Sequence, residues 1–177
     1  RIVMLAGEPG IGKTRTAQEL ASYARSSGAD VLWGRSYQEA GTPPLWPWIE
    51  ITRNLVLMRD AEQLRSEMGP GAADIAEILP DLKVKLPSLQ PPPALEPEQA
   101  RFRLYDSMTR FLANDAQTHP LMLVLEDLHW ADTSSLRMLE FLGGHISESP
   151  LLLVGAYRDA EVSAEHPLAE TGANLSR

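Results

Sequence analysis

The stretch that decides the fold is Leu5–Ala17, "LAGEPGIGKTRTA". It lies between an apolar run and a segment with helical spacing, and its residues 7–14 fit the pattern G-x-x-x-x-G-K-[ST]. Glycines at such positions allow positive φ angles and let backbone N–H groups turn inward, so the pattern predicts a concave site for phosphate oxygens at the N-terminus of a helix. The alternative is a Gly-rich turn without a ligand, but the strand before and the helix after the loop favour the phosphate site.

The residues of this loop have separate predicted roles. Lys13 is expected to reach the β and γ phosphates of a nucleoside triphosphate, and the Thr14 hydroxyl is expected to bind Mg²⁺. We predict nucleotide contacts for the whole loop and the residue after it: Gly7, Glu8, Pro9, Gly10, Ile11, Gly12, Lys13, Thr14 and Arg15.

Composition narrows the classes of protein. The chain has 177 residues, of which 44% are hydrophobic, and this predicts one globular domain. No apolar run approaches the roughly 20 residues that span a bilayer, and the N-terminus lacks a signal-peptide pattern, so we expect a cytoplasmic protein without membrane contact. The absence of cysteine excludes disulfides and thiolate ligands, and any metal is expected to use oxygen ligands. The net charge of −8 argues against nucleic-acid binding by this segment.

The order of apolar runs predicts the fold class. Short runs bounded by turn residues indicate buried parallel strands, and amphipathic spacing indicates helices between them. Strands that alternate with helices favour a layered α/β fold with a parallel sheet. The predicted strands are residues 2–6, 30–34, 121–126 and 150–157, and the predicted helices are residues 14–26, 98–116 and 133–146.

Residues 35–97 break this alternation, because they are longer than a usual connection between strands. We expect an inserted element there. Its early part, "PPLWPWIEITRNLVLM" (43–58), predicts a helix that begins at prolines, with Trp48, Ile51, Leu55 and Met58 at helical spacing. Six prolines fall within residues 80–97 and predict an extended, mobile surface loop.

An acidic pair follows the third predicted strand, in "LMLVLEDLHWAD" (121–132). Glu126 and Asp127 come directly after five apolar residues, where the strand is expected to emerge beside the phosphate loop. Carboxylates at this place can hold a metal ion and orient an attacking water. The alternative is a solvated acidic pair at a strand end, but the loop sequence favours the metal site.

The last predicted strand ends in "GAYRDAE" (155–161), where Arg158 follows a buried run. Two interpretations of Arg158 are open. In the first interpretation, its guanidinium contacts the γ-phosphate and detects the presence of that group. In the second, Arg158 is a surface arginine paired with Asp159 or Glu161.

Five further residues give weaker signals. His129 has no second histidine at ligand spacing, so a metal role is not expected, and Trp130 is expected to pack under the following helix. Asp132 precedes "TSSLRML" and is predicted to be the N-cap of that helix. For Trp46 and Trp48, core packing is favoured over contact with a partner or a base.

These residues resemble a known family. The quoted motifs, with "GEPGIGKTRTAQEL" (7–20) and "PLLLVGAYRDAEVSAEHPLA" (150–169), are similar to the AAA-type ATPase domain of STAND-class bacterial multidomain regulators, within the P-loop NTPase superfamily. In such regulators the domain lies next to LuxR-type DNA-binding, tetratricopeptide-repeat or nucleotide cyclase domains. The resemblance makes residues 7–14 the Walker A motif and 121–127 the Walker B motif. It implies a three-layer sandwich around a central parallel sheet of five strands, in which the strand that ends at Arg158 lies between the two Walker strands.

The resemblance also implies a function. It indicates an ATP-binding and slowly hydrolysing switch in signal transduction or transcription regulation, with ATP and Mg²⁺ as cofactors, flanking effector domains as partners, and nucleotide-dependent self-association. The implied catalytic residues are Lys13, Glu126, Asp127 and Arg158, with Thr14 and Glu126 on Mg²⁺ and Asp127 on water. Many P-loop proteins have Asp where Glu126 stands, so it stays open which of Glu126 and Asp127 binds the metal and which acts on the water.

The resemblance covers one domain, residues 1–177, with residues 35–97 as a helical and Pro-rich insert. In the family, a segment before the first strand, a fifth strand and a helical lid complete the domain, so we expect this segment to be part of a longer polypeptide and to bind nucleotide weakly by itself. The main alternative is an interaction scaffold that binds nucleotide without turnover. A small-molecule P-loop kinase is less favoured, because no acceptor pocket is evident.

Overall fold

The computed structural model describes residues 1–176, and its centre is a parallel sheet of four strands. These are β1 (Ile2–Ala6), β2 (Asp30–Arg35), β3 (Leu121–Glu126) and β4 (Leu151–Tyr157). Their order in the sheet is β1-β4-β3-β2, and all three pairings are parallel. The strand that ends before Arg158 therefore lies between the strands that carry the two predicted motifs, as the resemblance implied. β1 pairs with β4 alone in the described chain and forms an open edge of the sheet.

Helices occupy the connections between the strands. The predicted helices after the phosphate loop, before the third strand and after the acidic pair are all present, and their boundaries differ from the prediction by up to three residues. The helices are α1 (Lys13–Ser26), α2 (Trp46–Met58), α3 (Ala61–Met68), α4 (Ala72–Ile78), α5 (Leu82–Lys85), α6 (Pro97–Thr118), α7 (Thr133–Gly143) and α8 (Pro167–Leu175). Short 3₁₀ turns lie at Gly69–Gly71, Leu128–Trp130 and Asp159–Glu161.

The two faces of the sheet bury different partners, because successive side chains of a strand point to opposite sides. Met122 and Val124 of β3 pack against Ala17 and Ala21 of α1. The alternate leucines of β3 belong to the larger core, which also holds side chains of α2 to α8. Helices therefore cover both faces, and the predicted three-layer α/β sandwich is confirmed.

Helix α2 packs closely on β2. Gly34 of β2 permits this approach, since a Cβ atom at that position would lie only 2.2 Å from the backbone oxygen of Pro47. Trp48 is fully buried, and its indole N–H donates to the carbonyl of Ser135 at 3.0 Å. Core packing of Trp48, the favoured interpretation, is confirmed. Met58, placed by its spacing on the same helical face, is half exposed at the end of α2.

The prediction of an extended surface loop over residues 80–97 was wrong for its first part. Residues Leu82–Lys85 form the single turn of α5, and Leu82 and Leu86 are buried in the core. The six residues between Pro80 and Pro87 are enough for one helical turn, whose apolar i, i+4 pair packs inward. Residues 87–96 have no regular helix or strand, as the prolines predicted.

Candidate functional site

The predicted phosphate loop connects β1 to α1 at the carboxyl edge of the sheet. Gly10 and Gly12 have φ angles of 82° and 109°, which favour glycine over residues with a side chain. The space where a Cβ would stand is open at both positions, so backbone conformation rather than crowding requires glycine there.

The N-terminus of α1 has unsatisfied donors. Gly12 occupies the N-cap position, and no side chain caps the helix. Within residues 1–176, no backbone oxygen accepts a hydrogen bond from the N–H groups of Lys13, Thr14 or Arg15. Free N–H groups and the helix dipole together favour an anion at this point. The loop therefore fits the phosphate tail of a nucleotide.

The Lys13 side chain folds over the same loop. Its ammonium donates to the carbonyl oxygens of Gly7 at 2.6 Å and Glu8 at 2.8 Å. An ammonium has three donors, so one is left for another acceptor. The positive charge is thus held at the loop, beside the open N–H groups of α1.

The first residues of the loop helix meet the end of β3. The Thr14 hydroxyl donates to Glu126 Oε1 at 3.0 Å, although the two residues are 112 positions apart in the chain. Both side chains offer oxygen, the ligand atom that Mg²⁺ prefers. The structure therefore brings together the two residues that the sequence predicted as metal ligands.

The side chain of Asp127 has a different partner from that of Glu126. It has a left-handed backbone with φ of 55°, and its Oδ2 accepts from Arg35 Nε at 2.8 Å. This ion pair raises the pKa of Arg35, and the main cause is the hydrogen bond that Arg35 donates to Asp127. The left-handed turn separates the roles of the two carboxylates, because one faces Thr14 and the other faces Arg35.

Arg35 is the site residue that sequence reasoning missed. It is the last residue of β2 and stands opposite Glu126 in the sheet register. Its own backbone N–H donates to Glu50 Oε2 at 2.8 Å, which ties α2 to this strand end. The position of Arg35 at the end of a predicted strand was a partial signal, since polar residues at the carboxyl ends of parallel strands gather at one edge of the sheet. The sequence did not show, however, that β2 and β3 are neighbours.

Arg158 forms an ion pair with Glu161, as in the second of its two interpretations. Its guanidinium donates to Glu161 at 2.7 Å and lies 5.2 Å from the ring centroid of Trp130. Pairing with Glu161 was one of the two open interpretations, and the structure has that pair. The role of Arg158 on a γ-phosphate stays a prediction.

His129 and Trp130 connect the acidic pair to Arg158. The His129 ring is buried, lies 4.6 Å from that of Trp130, and accepts from the Arg158 backbone N–H at 3.4 Å. Burial lowers the pKa of His129, which favours the neutral ring. In residues 1–176, no group of three potential metal ligands includes His129. The Trp130 ring is tilted by 48° against that of His129 and lies beside the Arg158 guanidinium, and its predicted packing under α7 stays a prediction.

Asp132 anchors the segment after the acidic pair. Its carboxylate accepts from the N–H groups of Ser134 and Ser135, so the predicted N-cap of α7 is confirmed. It also accepts from the Leu45 N–H at 3.2 Å, just before α2. One carboxylate therefore fixes two helix starts near the carboxyl edge.

The fold and this site define a P-loop nucleotide-binding domain. The sequence profile of the AAA ATPase domain matches residues 1–154, which is most of the chain. The chain belongs to the AAA ATPase domain family.

One curated relative is an uncharacterized protein of Rhizobium meliloti (strain 1021), which is 22% identical over 175 residues. That similarity covers 92% of this chain but only 16% of the relative. The chain therefore spans a small part of the length of the relative it matches. Across the described residues, every helix is too short or too polar to traverse a lipid bilayer.

Proposed function

We propose that this domain binds Mg²⁺ and ATP and hydrolyses ATP slowly as a molecular switch. The observation that carries the proposal is the contact of Thr14 with Glu126 at 3.0 Å, directly beside the uncapped N-terminus of α1. Two metal-ligand oxygens and a row of free N–H groups converge there. Such a site suits a phosphate chain with its metal ion better than either ligand alone.

Each residue of the site has its own role in the proposed reaction. Lys13 and the loop amides bind phosphate oxygens, and Thr14 and Glu126 hold Mg²⁺. Bound Mg²⁺ neutralises charge on the β and γ phosphates. Asp127 orients and deprotonates the attacking water. The contact between Thr14 and Glu126 supports this assignment, since Asp127 faces away toward Arg35.

Slow turnover is part of the proposal. Asp127 is paired with Arg35, so its carboxylate must leave or loosen that pair before it can accept a proton from water. The same pair favours the second candidate function, a module that binds ATP and does not hydrolyse it.

Replacing Asp127 with Asn separates the two candidates. We expect single-turnover hydrolysis of γ-labelled ATP to fall by about 10²-fold or more, the range of a lost general base, while ATP affinity stays the same. Unchanged, barely detectable hydrolysis in the variant and the wild type, with intact ATP binding, would support the non-hydrolysing module instead.

The wider context is also proposed. Residues 1–177 form one domain with residues 35–97 as its insert, and the domain belongs to a larger cytoplasmic STAND-class regulator. Effector domains on either side respond to the γ-phosphate, which Arg158 contacts after it leaves Glu161, and ATP promotes self-association. The coverage of the relative, 16% of its length, agrees with a longer polypeptide. Sedimentation with Mg²⁺ and ATP, against ADP, tests the self-association.

A further inference from the structure

A second group of chemically active side chains lies away from the phosphate loop, between α3 and α6. It consists of Glu67, Asp115 and His119, here called the α3–α6 cluster. Each residue offers one potential ligand atom, and these three atoms all lie within 4.8 Å of one another.

The helices hold the cluster in place. Asp115 lies in the last turn of α6, and His119, four residues later, is the C-cap residue directly after that helix. Glu67 faces them from α3, and the Asn114 side chain fixes the position of α3 by donating to the Glu67 carbonyl at 2.8 Å. The three ligand atoms thus meet where α3 packs against the C-terminal end of α6.

Among residues 1–176, Arg59 is the one cation that forms an ion pair with a residue of the cluster. Arg59 donates to both oxygens of Asp115, at 2.5 and 3.0 Å, and to Asp30 at 2.5 Å. The ammonium of Lys85 is taken by backbone carbonyls at the end of α2. One guanidinium is therefore shared by the carboxylates of Asp30 and Asp115. Burial, followed by the charge of Asp115, raises the pKa of Glu67 to about 7.

Two polar atoms of the cluster have no partner. Glu67 Oε2 and His119 Nδ1 are both shielded from solvent, and neither makes a hydrogen bond within residues 1–176. Buried polar atoms are rarely left without a partner, because they lose their hydrogen bonds to water. One oxygen and one nitrogen without a hydrogen-bond partner therefore lie beside the Asp115 carboxylate.

We propose that the α3–α6 cluster binds a first-row transition-metal ion of the zinc class through Glu67, Asp115 and His119. Zn²⁺ takes imidazole nitrogen at 2.0–2.1 Å and carboxylate oxygen at 2.0–2.2 Å, so small side-chain rotations bring the three atoms to one ion. Asp115 keeps its bonds to Arg59, since each carboxylate oxygen has two lone pairs. A mixed nitrogen and oxygen set selects Zn²⁺ or Co²⁺ over Mg²⁺.

This site differs from the one at Thr14 and Glu126 in place and in chemistry. It joins α3 of the 35–97 segment to α6, so the ion acts as a structural clip between them. The nitrogen ligand of the proposed site departs from the sequence-based expectation that any metal would use oxygen ligands, since only His129 had been weighed as a ligand. His119 lies at the end of α6, and Glu67, which it meets in space, is 52 residues earlier in the chain.

Co²⁺ titration of the tag-free, nucleotide-free protein tests the proposal. We expect visible d–d absorption that saturates at one equivalent in the presence of millimolar Mg²⁺, and a higher melting temperature. Glu67→Gln and His119→Ala should each weaken binding by about 100-fold, the upper range seen when residues that support metal ligands are lost. Two controls should keep full binding: Glu126→Gln at the phosphate site, and His145→Ala in the turn after α7.

Three results would overturn the proposal. They are a folded wild type that binds no Co²⁺ or Zn²⁺ at millimolar concentration, binding that survives both cluster substitutions, and binding that is lost in Glu126→Gln. Glu67→Gln keeps the size of the side chain, so it remains informative if His119→Ala fails to fold, and circular dichroism checks the fold of each variant.

Discussion

Replacing Arg35 with Ala should raise the rate of ATP hydrolysis. Arg35 Nε lies 2.8 Å from Asp127 Oδ2, and the two side chains are 53% and 21% exposed. Ion pairs with this exposure contribute about 0.2–1 kcal/mol. If Asp127 must leave the pair to act on water, the variant should gain up to the same energy, which is a rate increase of up to about fivefold.

Single-turnover hydrolysis of γ-labelled ATP at saturating protein measures this increase directly. Arg110→Ala is the matched control, because Arg110 forms a similarly exposed pair with Asp106 on α6, and its rate should equal that of the wild type. The double variant with Asp127→Asn should lose the gain, since no carboxylate is then released.

A fall of tenfold or more in Arg35→Ala, with unchanged ATP affinity and fold, would refute this reasoning. It would mean that Arg35 contacts the reacting groups instead of restraining Asp127. A rate equal to the wild type would mean that the ion pair does not limit turnover.

Three stability predictions follow from local geometry, and urea unfolding measures each. Gly34→Ala should cost about 3 kcal/mol, because the new Cβ would meet the Pro47 backbone oxygen, and a neutral result would contradict the close packing of α2 on β2. Asp132→Ala should cost about 1–2 kcal/mol through the lost N-cap, whereas the same loss in Asp132→Asn would argue against capping. Arg59→Ala, measured with a chelator, should cost about 3–5 kcal/mol because it leaves Asp115 buried without its cation, and a loss under 1 kcal/mol would disprove that dependence.

Local patterns in the sequence were enough to predict the sheet and the loop. The β3 run is apolar on both faces because helices cover both, and such a run stands out without any knowledge of contacts. The loop could be predicted equally well, since glycine at residues 10 and 12 permits positive φ angles, and this requirement depends only on the local sequence.

The contacts that sequence analysis missed join residues that are far apart in the chain. Arg35 meets Asp127 only because β2 and β3 are neighbours in register, and the order of strands cannot be deduced from the runs themselves. The turn of α5 was missed for another reason. Prolines excluded a long helix, but Leu82 and Leu86 gain enough from burial to form a single turn between them.

The central claim is that residues 7–14 bind the phosphates of ATP, and a titration of a fluorescent ATP analogue with Mg²⁺ tests it most directly. The account predicts saturable, weak binding in the wild type, competition by unlabelled ATP, and at least a tenfold loss of affinity in Lys13→Ala. Equal binding in the wild type and Lys13→Ala, or no binding to a folded wild type, would contradict it.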